Sequence, residues 1–143
     1  MPMTTASQPT PQGSAVSATL VTEVMPDMTP EPELPVFDRA GMLSRLMDDE
    51  ELAREIVEAS LADIPQQMTA LRRYLAADDV RGTERQAHTL KSVAASIGGE
   101  RLRQVAFVME QAAHAGDLAA VHARMVELAS EFVTLKAAIA AEL

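Results

Sequence analysis

The stretch that decides the fold lies at residues 87–99, which read Ala-His-Thr-Leu-Lys-Ser-Val-Ala-Ala-Ser-Ile-Gly-Gly. Its apolar side chains recur at helical spacing and form one stripe, and its polar side chains share the opposite face. His88 falls on the polar face, and the following Ser92 and Ala95 are too short to cover its ring. The pattern predicts a helix that ends at paired glycines and presents an imidazole to solvent. The predicted core stripe consists of Val80, Ala87, Leu90, Ala94 and Ile97.

The composition favours a single helical domain of a protein without membrane or nucleic-acid partners. The chain has 143 residues and a formal net charge of −9, which argues against phosphate-backbone binding. It has no cysteine, so it cannot form a disulfide, a thiolate nucleophile or a cysteine-based zinc site. Alanine is abundant and glycine is scarce, which is typical of an all-α chain. No apolar run approaches about 18 residues, so we expect a cytoplasmic protein.

Residues 1–35 differ from the rest of the chain. Seven of the eight prolines lie there among threonine and serine residues, together with four acidic residues and no lysine or arginine. Dense proline blocks helix continuation, and few apolar side chains are available to offset the entropy of ordering. The composition predicts a disordered acidic tail or linker at 1–35, followed by a folded domain at 36–143.

The first part of the folded domain is predicted to form a short helix and then a longer one. Asp38 is a candidate N-cap for a helix over residues 40–47. Residues 48–51 are all acidic and suit the positive end of the next helix. Pro65 lies inside that second helix and predicts a kink or a restart. The side chains predicted to face inward are Leu43, Leu46 and Met47 in the short helix and, in the long one, Leu52, Ile56 and Ala59, with Leu61 and Ile64 as further candidates and with Met68, Leu71 and Leu75 after Pro65.

The remaining sequence predicts three more helices joined by short turns. Asp79 caps the His88 helix, and Glu100 opens the next one. Gly116 closes that helix, and Asp117 caps the last. Apolar residues in the last helix alternate at steps of three and four, which is typical of packing at small crossing angles. The sequence therefore predicts an up-and-down antiparallel four-helix bundle with an additional short N-terminal helix. Phe107 lies off the inward stripe, so it either packs under the short helix or joins an exposed apolar patch.

His88 is the leading candidate for chemistry. Arg85 and Lys91 lie three residues to either side of it, and Glu84 at i−4 could orient its Nδ1–H and leave Nε2 free. A neutral imidazole can attack a phosphoryl group without a dedicated base. The alternative is a solvated surface histidine with no role. His114 and His122 are predicted to be structural or solvated, and no set of residues has convincing metal-ligand spacing.

Residues 87–92, Ala-His-Thr-Leu-Lys-Ser, followed by Ala-Ser-Ile-Gly at 95–98, resemble the His-x-Leu-Lys-Gly motif of histidine-containing phosphotransfer (HPt) domains. The resemblance covers about residues 36–143 and implies the helical bundle of that family. It also implies that His88 accepts the phosphoryl group through Nε2 and that Lys91 balances the phosphoryl charge. Further landmarks of the resemblance are Phe37-Asp38, Asp49 to Leu52, Asp63-Ile64-Pro65 and Ala115-Gly116-Asp117.

Ser92 departs from the family pattern, in which glycine is usual at that position. Serine is still small enough for a receiver domain to approach His88, so we expect retained activity with an altered partner preference. The predicted docking residues are Glu84, Arg85, Ser92 and Ala95.

The resemblance implies a phosphorelay intermediate whose partners are response-regulator receiver domains, a hybrid histidine kinase, or both. It implies a phosphocarrier rather than an enzyme, with no cofactor of its own and with Mg²⁺ supplied by the partner receiver. The chain has no glycine-rich phosphate loop. It has enough helices to close a bundle as a monomer, which disfavours a dimeric kinase domain. The alternatives are an adaptor that docks receivers without phosphotransfer and a structural helical adaptor outside signalling.

Overall fold

The computed structural model describes residues 34–143, and within that range the secondary structure is entirely helical. The four long helices form the predicted up-and-down bundle, and the short helix α1 precedes them. Residues 1–33, which hold nearly all of the predicted tail, lie outside the described residues. The helices are α1 (Arg39–Arg45), α2 (Glu50–Ala76), α3 (Val80–Ser96), α4 (Glu100–His114) and α5 (Leu118–Glu142).

Aspartate side chains cap four of the five helices. Each accepts a hydrogen bond from the backbone N–H three residues later and so satisfies one of the unpaired donors of the first turn. A cap of this kind stabilises a helix by about 1 kcal/mol. The predicted caps of α1, α3 and α5 are confirmed, and in the acidic run before α2 the capping residue is the second aspartate. The four bonds run from Gly41 to Asp38, Leu52 to Asp49, Gly82 to Asp79 and Ala120 to Asp117, at 2.9–3.0 Å.

The core is built from one apolar stripe on each helix. In α3 the predicted stripe is buried from Ala87 to Ile97, but Val80 is exposed, so that prediction is wrong. Val80 is the first residue of its helix, and the buried stripe begins at Thr83, whose hydroxyl donates to the Asp79 carbonyl at 2.8 Å. In α5 the predicted seam is confirmed, with Val121, Leu128, Phe132, Leu135 and Ile139 buried. Helix α3 packs mainly against α4 and α2, and α4 packs against α5.

Helix α2 corrects two predictions. It runs without interruption through Pro65, so the predicted restart is wrong. Pro65 is exposed, and the buried stripe continues on either side of it at helical spacing. Burial of that stripe offsets the backbone hydrogen bond that proline removes. Before Pro65 the predicted stripe is out of phase, because Leu52 and Ala59 are exposed and Ile56 and Leu61 are only half-buried, whereas Ile64, Met68, Leu71 and Leu75 are buried as predicted. The buried residues are Ala53, Val57, Ile64, Met68, Leu71 and Leu75.

Helix α1 is shorter than predicted and ends at Arg45. Leu43 is buried as expected and Leu46 is half-buried, but Met47 is 90% exposed. Met47 has a φ of 58°, so the chain has left the helix before its side chain can reach the core. Met42, one residue before Leu43, is fully buried instead.

The segment before α1 is attached to the end of α3. The Asp38 N–H donates to the Gly98 carbonyl at 2.7 Å. Gly98 has a φ of +73°, and a Cβ at this position would lie 2.6 Å from the Asp38 carbonyl oxygen, so only glycine fits. The Arg45 guanidinium adds a second attachment by donating to the Ala95 carbonyl at 2.9 Å. These contacts hold α1 against the C-terminal end of α3, beyond His88.

Candidate functional site

Helix α3 positions His88 on the side opposite its buried stripe. The neighbouring Ala87 and Leu90 are fully buried, so the helix cannot rotate without exposing apolar surface. The His88 side chain is 58% exposed, which confirms the predicted accessibility of the ring. The sequence thus places this imidazole on a rigid helix at the protein surface.

The Nδ1 atom of His88 contacts a carboxylate from the next helix. It lies 2.7 Å from Glu110 Oε2 on α4. An ionised carboxylate only accepts hydrogen bonds, so Nδ1 carries the proton and donates it to this contact. The proton-free Nε2 is then the nucleophilic nitrogen of the ring.

Lys91 contacts the other oxygen of the same carboxylate. Its Nζ lies 2.7 Å from Glu110 Oε1, an atom that is inaccessible to solvent. Lys91 also lies over the Phe107 ring, with Nζ 5.3 Å from the ring centre. The half-buried Phe107 therefore forms one side of the site. Neither of the two predictions for Phe107 placed it there.

The protonation of Glu110 follows from these contacts. Partial burial of the carboxyl group would raise its pKa, but the contacts with Lys91 and His88 outweigh that effect. The pKa of Glu110 is therefore lower than its ordinary value, and the group is ionised at neutral pH. Glu110 links the imidazole to a lysine, so the three groups together carry no net charge when His88 is neutral.

Glu84 does not orient His88, which corrects the prediction from the i−4 spacing. Its Oε2 lies 2.9 Å from Nδ1 of His114 on α4. His88 precedes Gly99 by eleven residues and Glu110 follows it by eleven, so the antiparallel pairing of α3 with α4 brings these two side chains together. Equal distance from the Gly98-Gly99 turn is the sequence signal that could have identified Glu110.

The other predicted docking residues lie on the accessible surface near His88. Ser92 is exposed and Ala95 is half-buried, and both are on α3 beyond His88. Arg85 is exposed, and its guanidinium carbon lies 6.0 Å from the centre of the Tyr74 ring. Arg85 also lines a shallow depression with Glu84, His88 and Glu110. Ser92 and Ala95 are short, so the surface beside the imidazole on this side is open.

Comparisons with known proteins show the family of this chain. A family model described as Hpt domain matches residues 55–141, more than half of the chain. The chain belongs to the Hpt family. This membership assigns the domain a general role in phosphotransfer relays, in which Hpt proteins interact with receiver domains and kinases. The family is not one of classical enzymes.

A solved structure shows the same fold. The crystal structure of histidine-containing phosphotransfer protein B (HptB) from Pseudomonas aeruginosa PAO1 superposes with a TM-score of 0.70. The match covers 77% of this chain and 96% of HptB at 20% sequence identity. A comparison with curated proteins gives no match. Across residues 34–143 of this Hpt domain, no helix has the length and apolar character needed to cross a membrane.

Proposed function

We propose that His88 accepts a phosphoryl group on Nε2 from the aspartyl phosphate of one receiver domain and passes it to an aspartate of another. The observation that carries this proposal is the contact between His88 Nδ1 and Glu110, because it leaves Nε2 both proton-free and exposed. The Hpt family assignment supports the reaction class.

The transfer proceeds by direct displacement at phosphorus. Nε2 donates its lone pair and forms the N–P bond, while the P–O bond of the acyl phosphate breaks and the aspartate leaves as a carboxylate. The proton on Nδ1 remains in place, so the phosphorylated ring carries a positive charge. Glu110 stabilises that charge electrostatically. Lys91, which contacts the same carboxylate, supplies the positive charge that balances the arriving phosphoryl group. The reverse sequence delivers the phosphoryl group to the second receiver.

The Hpt domain and the receiver contribute different groups to the proposed reaction. Among the described residues, no group of three or more histidine, aspartate or glutamate side chains is arranged to hold a metal ion. From the resemblance to the family, we assign the Mg²⁺ and the acidic pocket of the reaction to the receiver. The partner approaches over Ser92 and Ala95, with Glu84 and Arg85 at the edge of its contact surface.

Site-resolved phosphotransfer tests the proposal. Phosphorylated receiver domains from the host are incubated with the wild-type protein and with His88→Gln, and acid-labile, base-stable label is mapped by mass spectrometry. We expect the wild-type label on His88 and a transfer rate at least about 100-fold lower in the variant, because the nucleophile has been removed. Receiver-dependent label that maps elsewhere in the wild-type protein would contradict the assignment of His88. Receiver binding without label would instead favour the docking adaptor.

A further inference from the structure

A second histidine near the site also contacts a carboxylate through Nδ1, and a repeat in the sequence explains why. Residues 84–88 read Glu-Arg-Gln-Ala-His, and residues 110–114 read Glu-Gln-Ala-Ala-His. Both segments therefore have a glutamate four residues before a histidine and a buried alanine directly before that histidine. The first segment lies on α3 and the second on α4.

The two segments pair with each other rather than within themselves. His88 contacts Glu110 at 2.7 Å, and His114 contacts Glu84 at 2.9 Å, in both cases through Nδ1. An approximate local two-fold relation between the antiparallel helices α3 and α4 exchanges one pair for the other. The four side chains form two separate imidazole–carboxylate pairs and not a metal cluster.

The second pair has the features that make the first one nucleophilic. Glu84 accepts the Nδ1 proton of His114, which leaves Nε2 free of a proton. The His114 side chain is 79% exposed, more than that of His88. Arg81 and Arg85 line the same surface depression as Glu84 and His114, so cations lie near the position that a phosphoryl group on Nε2 would occupy.

We propose that Nε2 of His114 is a second phosphoryl acceptor, used by small molecules that carry a phosphoryl group on a good leaving group. Nε2 attacks phosphorus and forms the N–P bond as the P–O bond of an acyl phosphate, or the P–N bond of a phosphoramidate, breaks. The carboxylate or ammonia departs, and the Nδ1 proton stays between His114 and Glu84. This inference does not rest on the role proposed for His88, because it concerns a different nucleophile and a donor other than a receiver.

Chemical phosphorylation of the whole protein tests the proposal, with His122 as an internal reference. His122 is an exposed histidine to which residues 34–143 supply no carboxylate partner. Wild-type protein and His88→Gln are incubated in parallel with phosphoramidate and with acetyl phosphate. Label at each histidine is followed by mass spectrometry, and the phosphorylated nitrogen is identified by ³¹P NMR.

In both proteins we expect His114 to react about tenfold faster than His122 with at least one of the two donors. We also expect the phosphoryl group on Nε2 of His114. Reaction at His114 no faster than at His122 with both donors, or reaction on Nδ1, would overturn the proposal.

Glu84→Ala provides the specific control, with circular dichroism used to confirm that the helices remain folded. We expect the rate of phosphorylation at His114 to fall to about that at His122, because neither imidazole then has a carboxylate partner at Nδ1. An unchanged rate at His114 in Glu84→Ala would refute the proposed assistance by the crossed pair.

Discussion

The His88 and His114 regions contain the same imidazole–carboxylate pair in different surroundings. Glu110 is 19% exposed and its second oxygen contacts Lys91, whereas Glu84 is 34% exposed. Within residues 34–143, Glu84 has no lysine on its second oxygen. On its own face of the continuing helix, His88 is followed by the short side chains of Ser92 and Ala95, whereas His114 is the last residue of α4. The two regions therefore share the imidazole–carboxylate pair, and the lysine and the surrounding surface distinguish the site that we propose for transfer between proteins.

The largest effect should come from blocking the surface beside His88. We expect Ser92→Arg to lower transfer from a phosphorylated receiver about 100-fold, because a long side chain one turn after His88 prevents close approach of the partner. Chemical phosphorylation of His88 and His114 by phosphoramidate should change by less than about twofold, since a small donor needs no docking surface. Rapid-quench measurement of both reactions separates the two effects.

Ser130→Arg is the matched control, because Ser130 is an exposed serine on α5. If Ser92→Arg and Ser130→Arg transfer at the same rate, the docking surface does not include Ser92.

Removing the lysine should have the next largest effect and should act on one histidine only. We expect Lys91→Met to slow receiver-dependent phosphorylation of His88 about tenfold, because the charge that balances the phosphoryl group is lost. The rate of chemical labelling at His114 should stay within about twofold, since Glu84 does not depend on this lysine. Both rates are measured by site-resolved mass spectrometry.

Lys136→Met is the control for the loss of a surface lysine. Lys136 also lies over a phenylalanine ring, with Nζ 5.7 Å from the centre of Phe132, but it is on α5. Equal slowing of His88 in the two variants would show that Lys91 acts through net charge rather than through position.

A smaller effect is expected from neutralising the carboxylate that holds His88. Glu110→Gln keeps a carbonyl oxygen that can accept from Nδ1, but it removes the charge that stabilises the phosphorylated ring. We expect phosphorylation of His88 to slow about fivefold and His114 to react as before. Slowing of His114 in place of His88 would contradict the crossed pairing seen in the structure.

The smallest effect concerns stability in acid. The pKa of Glu110 is lowered in the folded state. Its ionised form therefore stabilises the fold at pH values above 4.5, which is the ordinary pKa of this group. That contribution is lost as the pH falls from the ordinary value through the lowered one. Urea unfolding of wild-type protein and Glu110→Gln should therefore differ at pH 7, by about 1 kcal/mol, and converge in stronger acid. A difference that stays constant down to pH 3 would contradict this titration.

Local sequence signals predicted most of the fold. The aspartate caps, the glycine-containing turns and the regular seam of α5 each depend on residues close together in the chain, so a sequence shows them directly. The errors lie where distant packing decides the outcome. The restart at Pro65 was predicted from a local cost, but burial along the whole of α2 offsets that cost. In the first half of α2 the predicted inward residues Leu52, Ile56 and Ala59 were wrong because the phase of the helix there is set by what it packs against, whereas Met68, Leu71 and Leu75 after Pro65 were predicted correctly.

The candidate site shows the same division between local and distant information. The exposure of His88 followed from helical periodicity, and its assignment as a phosphoryl acceptor followed from the resemblance of its flanking residues to a known motif. Glu110 was missed because it lies 22 residues from His88 in the chain. Glu84 was chosen in its place because i−4 is the nearest turn of the same helix, although an antiparallel neighbour offers a closer carboxylate.

The sequence by itself determined that the chain forms helices, where most of them begin and end, and that His88 faces solvent. Those properties arise from capping, turn residues and hydrophobic periodicity, which act over one or two helical turns. Only the tertiary structure decided which carboxylate holds each histidine, because the pairing of α3 with α4 depends on how two helices align across a turn. That alignment placed the Glu110 carboxylate between His88 and Lys91, and it gave His114 the carboxylate of Glu84.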